Sequence, residues 1–136
     1  MKLQPDKSDT QTVTAYGPGW VAINNEKVEE SVVIGSRGER FAWNARDFGQ
    51  LDATHFAQLA ALGPELIIFG SGGRIRFPQP AWLAPLMAQR TGVETMDTAA
   101  ACRTYNILAG EGRHVVVALL VEPAQAAAVE PSKAGL

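Results

Sequence analysis

The side chains best able to do chemistry gather around one junction. Glu65-Leu66-Ile67-Ile68-Phe69 runs into Gly70-Ser71-Gly72-Gly73, and Arg74 and Arg76 follow at once. A buried strand that breaks into a glycine-rich loop is a common place for a site in an α/β protein. Successive amides in such a loop can cradle a phosphate or carboxylate. Guanidinium groups two residues apart in an extended segment share a face and can fork onto the same anion or acidic surface. The loop lacks the Lys-Ser/Thr ending of a nucleotide-binding P-loop, and Arg74-Ile75-Arg76-Phe77-Pro78 does not read as a helix start, so no helix dipole supports an anion there. The plainer alternative is that the glycines let the chain turn sharply against a neighbouring strand.

Other chemistries have thinner support. A hydrolase elbow needs Gly-x-Ser-x-Gly entering a helix, with a histidine and an acid later in the chain. Here Ser71 sits in Phe69-Gly70-Ser71-Gly72-Gly73, and His114 and Asp97 are the partners a triad would require, so a loop hydrogen-bonding role for Ser71 is expected instead. His55, His114 and Cys102 have no metal-ligand spacing, and neither a metal nor a cofactor is expected. Cys102 lies in an alanine-rich stretch and reads as a small core residue. Arg103, Asn106 and Arg113 could join Arg74 and Arg76 in a guanidinium-rich patch, with Tyr105 adding a hydroxyl or simply packing. The competing assignment pairs the arginines with Glu94, Asp97 or Glu111. Trp20, Trp43 and Trp82 are widely spaced without basic residues between them, which does not make a nucleic-acid surface.

The elements that must position these residues fit one domain. A chain of 136 residues can bury roughly two-thirds of its unfolded surface. Hydrophobic residues at 46% and charged residues at 19% place it with globular rather than disordered proteins. A net charge of −2 gives no reason to expect nucleic acid. The longest apolar run, Val115 to Val121, is too short to span a bilayer. The first residues lack the apolar core of a signal peptide and the Arg-rich bias of a transit peptide, and a single cysteine suits a reducing compartment, so a cytoplasmic location is expected.

Residues 1–11 read as a flexible lead-in, 12–121 as a single domain and 122–136 as a disordered tail. Thr12 to Tyr16, Trp20 to Ile23, Val28 to Ile34 and Arg40 to Trp43 alternate and are separated by Gly17-Pro18-Gly19, Asn24-Asn25 and Gly35-Ser36-Arg37-Gly38. They predict an antiparallel meander. After Trp43 the period becomes helical. Asp52 caps a helix whose stripe is Phe56, Leu59, Ala60 and Leu62. Leu66 to Phe69 is apolar without alternation, which predicts a central strand covered on both faces. A second helix spans about Ala81 to Arg90, starting late or bending at Pro85. Val93 to Met96 is a short strand, Ala99 to Leu108 a helix capped by Asp97 or Thr98, and Val115 to Val121 the most hydrophobic strand. The fold class is α/β: three layers, with a mixed central sheet, flanking helices and an N-terminal antiparallel meander.

These stretches carry a resemblance. The strand ending in Gly-Ser-Gly, Phe77-Pro78 before a helix, Val93-Glu94-Thr95-Met96-Asp97-Thr98 with Ala99-Ala100-Cys102-Arg103-Thr104-Tyr105-Asn106-Ile107-Leu108, and the Glu111-Gly112-Arg113 turn resemble a small domain-of-unknown-function family. That family includes mitochondrial respiratory complex I assembly factor 3 and an adipogenesis-associated cytosolic protein. The resemblance covers about Thr12 to Val121 and is most specific from Met96 to Arg113. It implies the same three-layer fold, no established enzyme activity, and a role in assembling a membrane respiratory complex through protein contacts.

Two functional expectations follow. The first is a non-enzymatic interaction or assembly module whose contact surface is built from Gly70, Ser71, Gly72, Gly73, Arg74, Arg76, Arg103, Asn106 and Arg113, with a protein partner. The second is a small anionic-ligand-binding protein or weak enzyme using the same loop, with Arg74, Arg76 or Arg103 neutralising the anion. A homodimer formed through an uncovered edge of the meander is a third option.

Overall fold

The computed structural model describes residues 10–123. The expected lead-in and tail fall largely outside that range, while Glu122 and Pro123 lie within it. Strands β1 (Val13–Gly17), β2 (Trp20–Ile23) and β3 (Glu26–Val28) form an antiparallel three-stranded sheet. Asn24 and Asn25 make the β2–β3 turn at positive φ, 50° and 71°, conformations that asparagine tolerates better than most residues. The expected long strand from Val28 to Ile34 is divided. β3 ends at Val28, and β4 (Val32–Gly35) enters a second sheet with β5 (Arg40–Ala42). The cause is visible in burial. Glu29 and Glu30 are exposed, while Ser31 is buried and its hydroxyl accepts from the Val121 amide at 2.9 Å, so the chain changes sheets there.

The second sheet runs β5-β4-β8-β6-β7, with β6 (Leu66–Gly70), β7 (Gly92–Met96) and β8 (Val115–Leu119). β6 is parallel to both β7 and β8, and β4 is antiparallel to β8, so the sheet is mixed. β8, not β6, is the middle strand, although β6 is interior as its unbroken apolar run requires. Alternation sorts the residues by face. Val115, Val117 and Leu119 pack with Ile68, Val32, Ile34 and the meander's Val21 and Ile23. Val116, Ala118 and Leu120 pack on the other side with Ile67, Phe69 and Val33.

Helices cover both faces. α1 (Ala53–Ala60) and α2 (Ala84–Ala88) lie on the second side, where Phe56, Leu59 and Leu86 are fully buried beside Trp43 and Phe69. Asp52 caps α1 by accepting from the Thr54 amide at 2.9 Å, and His55 Nδ1 accepts from the Asp52 amide at 3.1 Å. Pro85 is resolved by a late start: residues Pro80–Leu83 form a 3₁₀ turn and Pro85 falls in the first turn of α2, where its missing N–H leaves no helical bond unmade. α3 (Thr98–Gly110), capped by Asp97 through the Ala100 amide at 2.8 Å, lies with the meander on the first face.

Candidate functional site

The carboxyl ends of the parallel strands β6, β7 and β8 meet at one rim, and a cleft of about 620 Å³ opens there. Gly72, Gly73, Arg74 and Arg76 form one wall, and the β1–β2 turn from Tyr16 to Trp20 forms the opposite one. Asp97, Thr98 and Ala99 at the start of α3 close one end, and Leu120, Val121 and Glu122 line the rest. The turn adopts its shape partly because Gly19 is at φ 79°, in the region that glycine enters without a Cβ penalty.

The loop is held by side chains directed inward. Ser71 is fully buried; its hydroxyl donates to the Arg74 carbonyl at 2.8 Å, with the Met96 carbonyl at 3.2 Å, and accepts from the Arg76 amide at 2.9 Å. Thr98 donates its hydroxyl to the Leu120 carbonyl at 2.8 Å and receives the Gly72 amide at 2.9 Å. Arg76 donates to the Ser71 carbonyl and to Glu122 Oε2, each at 2.8 Å, and its guanidinium carbon lies 5.1 Å from the Phe48 ring centroid. Gly70 lets α3 approach closely, since a Cβ there would stand 3.0 Å from the Ala101 Cβ and 3.1 Å from the Thr98 Cα. Gly72, at φ 101°, would direct a Cβ into Glu122 and the Arg76 guanidinium.

Of the nine residues expected to build a site, Gly72, Gly73, Arg74 and Arg76 line the cleft, and Gly70 and Ser71 are buried beneath them. Arg76 pairs with Glu122 rather than with Glu94, Asp97 or Glu111. Arg103 and Asn106 dock the meander instead. Asn106 receives the Val13 amide at 3.0 Å and donates to the Val13 carbonyl at 2.7 Å, as a neighbouring strand would, and Arg103 donates to the Tyr16 hydroxyl at 2.7 Å. Tyr105, fully buried, donates to the Gln11 carbonyl at 2.6 Å, and burial raises the phenol's pKa. Arg113 is at the opposite end of the sheet beside Glu65, at 3.4 Å.

The serine triad is excluded on the same ground. His114 precedes β8 level with Glu65 while Ser71 follows β6, and six steps of about 3.3 Å along the strands place them roughly 20 Å apart. His114 is instead a buried partner of Glu39, at 2.6 Å. Cys102 is a core residue, its thiol pushed up to about 12 by burial, so the reactive thiolate is suppressed.

Sequence reasoning missed Tyr16, Pro18, Trp20, Thr98 and Glu122. Gly17-Pro18-Gly19 reads locally as a turn, and nothing local says that the turn will face the glycine loop. The Asp97-Thr98 cap signal does place Thr98 at a helix start beside the strand ends.

The family described as "Protein of unknown function (DUF498/DUF598)" matches residues 13–120. The chain belongs to that family. The matched residues span both sheets and all three helices, and include the cleft's lining except Val121 and Glu122. The human NADH dehydrogenase [ubiquinone] 1 alpha subcomplex assembly factor 3 is 31% identical over 123 residues, covering 89% of this chain. The chain spans 66% of that protein's length and 51% of its Bos taurus counterpart's. Among solved structures, a Bordetella parapertussis protein superimposes with a TM-score of 0.78 at 40% identity, covering 83% of this chain and 97% of that one. A Mth938-like domain from Bordetella pertussis gives 0.77 at 33% identity, covering 85% and 89%. The family model gives the family, and the solved structures share the α/β architecture described above. No helix among the described residues is long and apolar enough to cross a membrane.

Proposed function

We propose that this chain is a non-enzymatic protein-interaction module that acts in complex assembly, with the cleft and the 72–77 loop as its contact surface. One observation carries the reading: the loop's polar groups are tied to one another, while Arg74, Ile75 and Phe77 face solvent, the last two 52% and 72% exposed. A rigid loop presenting an aromatic, an aliphatic and an arginine side chain has the composition of an interface anchor. The assembly-factor relatives support the same role, and the corresponding client would be a membrane respiratory complex. A cytoplasmic location goes with this reading.

In-cell crosslinking of tagged wild type beside Arg74→Glu tests it. Respiratory-complex subunits or biogenesis proteins enriched with the wild type and depleted at least severalfold with the variant are expected. Equal recovery with both, or no enrichment over an untagged control, overturns the reading.

The cleft's size favours a second reading, because about 620 Å³ lies in the range of small-molecule sites. On that reading an anion would sit between the Gly73 backbone and Arg74. Amide chemical-shift changes at Gly72–Arg74 that saturate with phosphate or a dicarboxylate would favour it.

A further inference from the structure

Among the described residues, Arg74 and Asp97 stand on the rim of the same cleft and neither forms an ion pair. Directly beside them, Ile75 and Phe77 project from a loop whose other side is the cleft wall. The alternation of an extended segment explains this division: Arg74 and Arg76 line the cleft, whereas Ile75 and Phe77 are absent from its lining and exposed. Phe77 therefore cannot fill its own molecule's cleft. A projecting apolar pair and a receptor walled by Tyr16 and Trp20 thus lie side by side on one chain.

That adjacency is self-complementary. We propose that a second copy of this chain occupies the cleft, in a two-fold dimer where each copy inserts Phe77 into the cleft of the other. In that two-fold arrangement both insertions are made at once, and the contact closes on itself rather than growing into a filament. The same operation places Arg74 of each copy near Asp97 of the other, pairing two cations with two carboxylates. Ile75 follows Phe77 into the interface beside Trp20 and Tyr16.

The meander's outer strand is less suited to self-association. β3 has three residues, two of them the exposed Glu26 and Lys27, and short charged edges resist strand addition. The interface rests on reading the cleft as a contact surface, and it would hold the apolar loop covered until an assembly partner displaces the second copy.

Sedimentation velocity of the purified full chain over a concentration series tests the dimer. The wild type should associate with a Kd on the order of 10–100 μM. Phe77→Asp should weaken association about thirtyfold or more while leaving the circular dichroism spectrum unchanged. A mixture of Phe77→Cys and Pro18→Cys chains supplies the geometry, since Cys102 is buried and silent. Oxidation should link one variant to the other in preference to either with itself. A wild type monomeric at several times about 100 μM, a dimer indifferent to Phe77→Asp, or crosslinks confined to like variants would each overturn the proposal. These measurements use no partner. A monomer whose crosslinked clients still depend on Arg74 removes only the dimer, and a dimer without such clients removes only the assembly role.

Discussion

The two ends of the five-stranded sheet treat polar side chains differently. At the amino ends of β6 and β8, His114 and Glu39 are both largely buried and bond at 2.6 Å, and Ser36 bridges strands by donating to the Arg113 carbonyl at 2.7 Å and accepting the Val115 amide at 3.0 Å. There the polar groups close a seam between the β4–β5 turn and the α3–β8 turn. At the carboxyl ends Ser71, Thr98, Arg76 and Glu122 are also internally bonded, yet they hold a loop that displays Ile75 and Phe77 to water. The difference teaches that hydrogen-bonded order has two uses here. One end is ordered to be stable; the other is ordered to present a surface, which lowers the entropy a partner must remove on binding.

Breaking the seam should have the largest effect. His114→Ala leaves the Glu39 carboxylate without its main partner in a mostly buried setting, which should cost about 3 kcal/mol in chemical unfolding. Ser71→Ala should cost about 2 kcal/mol, because the part-buried Arg76 amide loses its acceptor and the buried Ser71 hydroxyl its bond to the Arg74 carbonyl. A loss after Ser71→Ala larger than that after His114→Ala would reverse the contrast between the two ends.

The seam should also carry a pH signature. Burial raises the Glu39 carboxyl, but bonds from His114 and the backbone outweigh that and hold its pKa below the ordinary value. A carboxylate with a lowered folded-state pKa contributes stability that is fully present above its unfolded pKa and is lost as pH falls through the folded one. Wild-type stability should thus decline from about pH 5 downward, and Glu39→Gln should flatten that acid limb. An acid limb unchanged in Glu39→Gln would remove the seam's electrostatic account. At the other end, Arg74→Glu should change stability by less than about 0.5 kcal/mol, as an exposed charge away from caps and core does.

How much could be read beforehand divides along the same line. Strand and helix signals are local: the apolar run Leu66 to Phe69, the Asp52 and Asp97 caps and the glycine break at Gly70 each specify their own neighbourhood, and all are where periodicity puts them. The cleft is not local. Its second wall comes from Tyr16 to Trp20, some fifty residues before the glycine loop, and the docking of the meander on α3, through Asn106 on Val13 and Arg103 on Tyr16, brings it near. Arg103 and Asn106 attracted a functional assignment by residue type, and their bonding partners were in segments whose position no pattern in the chain encodes. Arg113 shows the converse: it lies close in sequence to a β-strand, but at the wrong end of it.

Thermal unfolding of Phe77→Asp beside Ser71→Ala tests most directly whether the loop's inward groups carry stability while its outward groups do not. At a protein concentration well below the proposed dimer's Kd, a Phe77→Asp midpoint equal to or above that of the wild type, with Ser71→Ala several degrees lower, is the expected result. A Phe77→Asp midpoint lowered as far as that of Ser71→Ala would show that Phe77 belongs to the fold and would contradict the account.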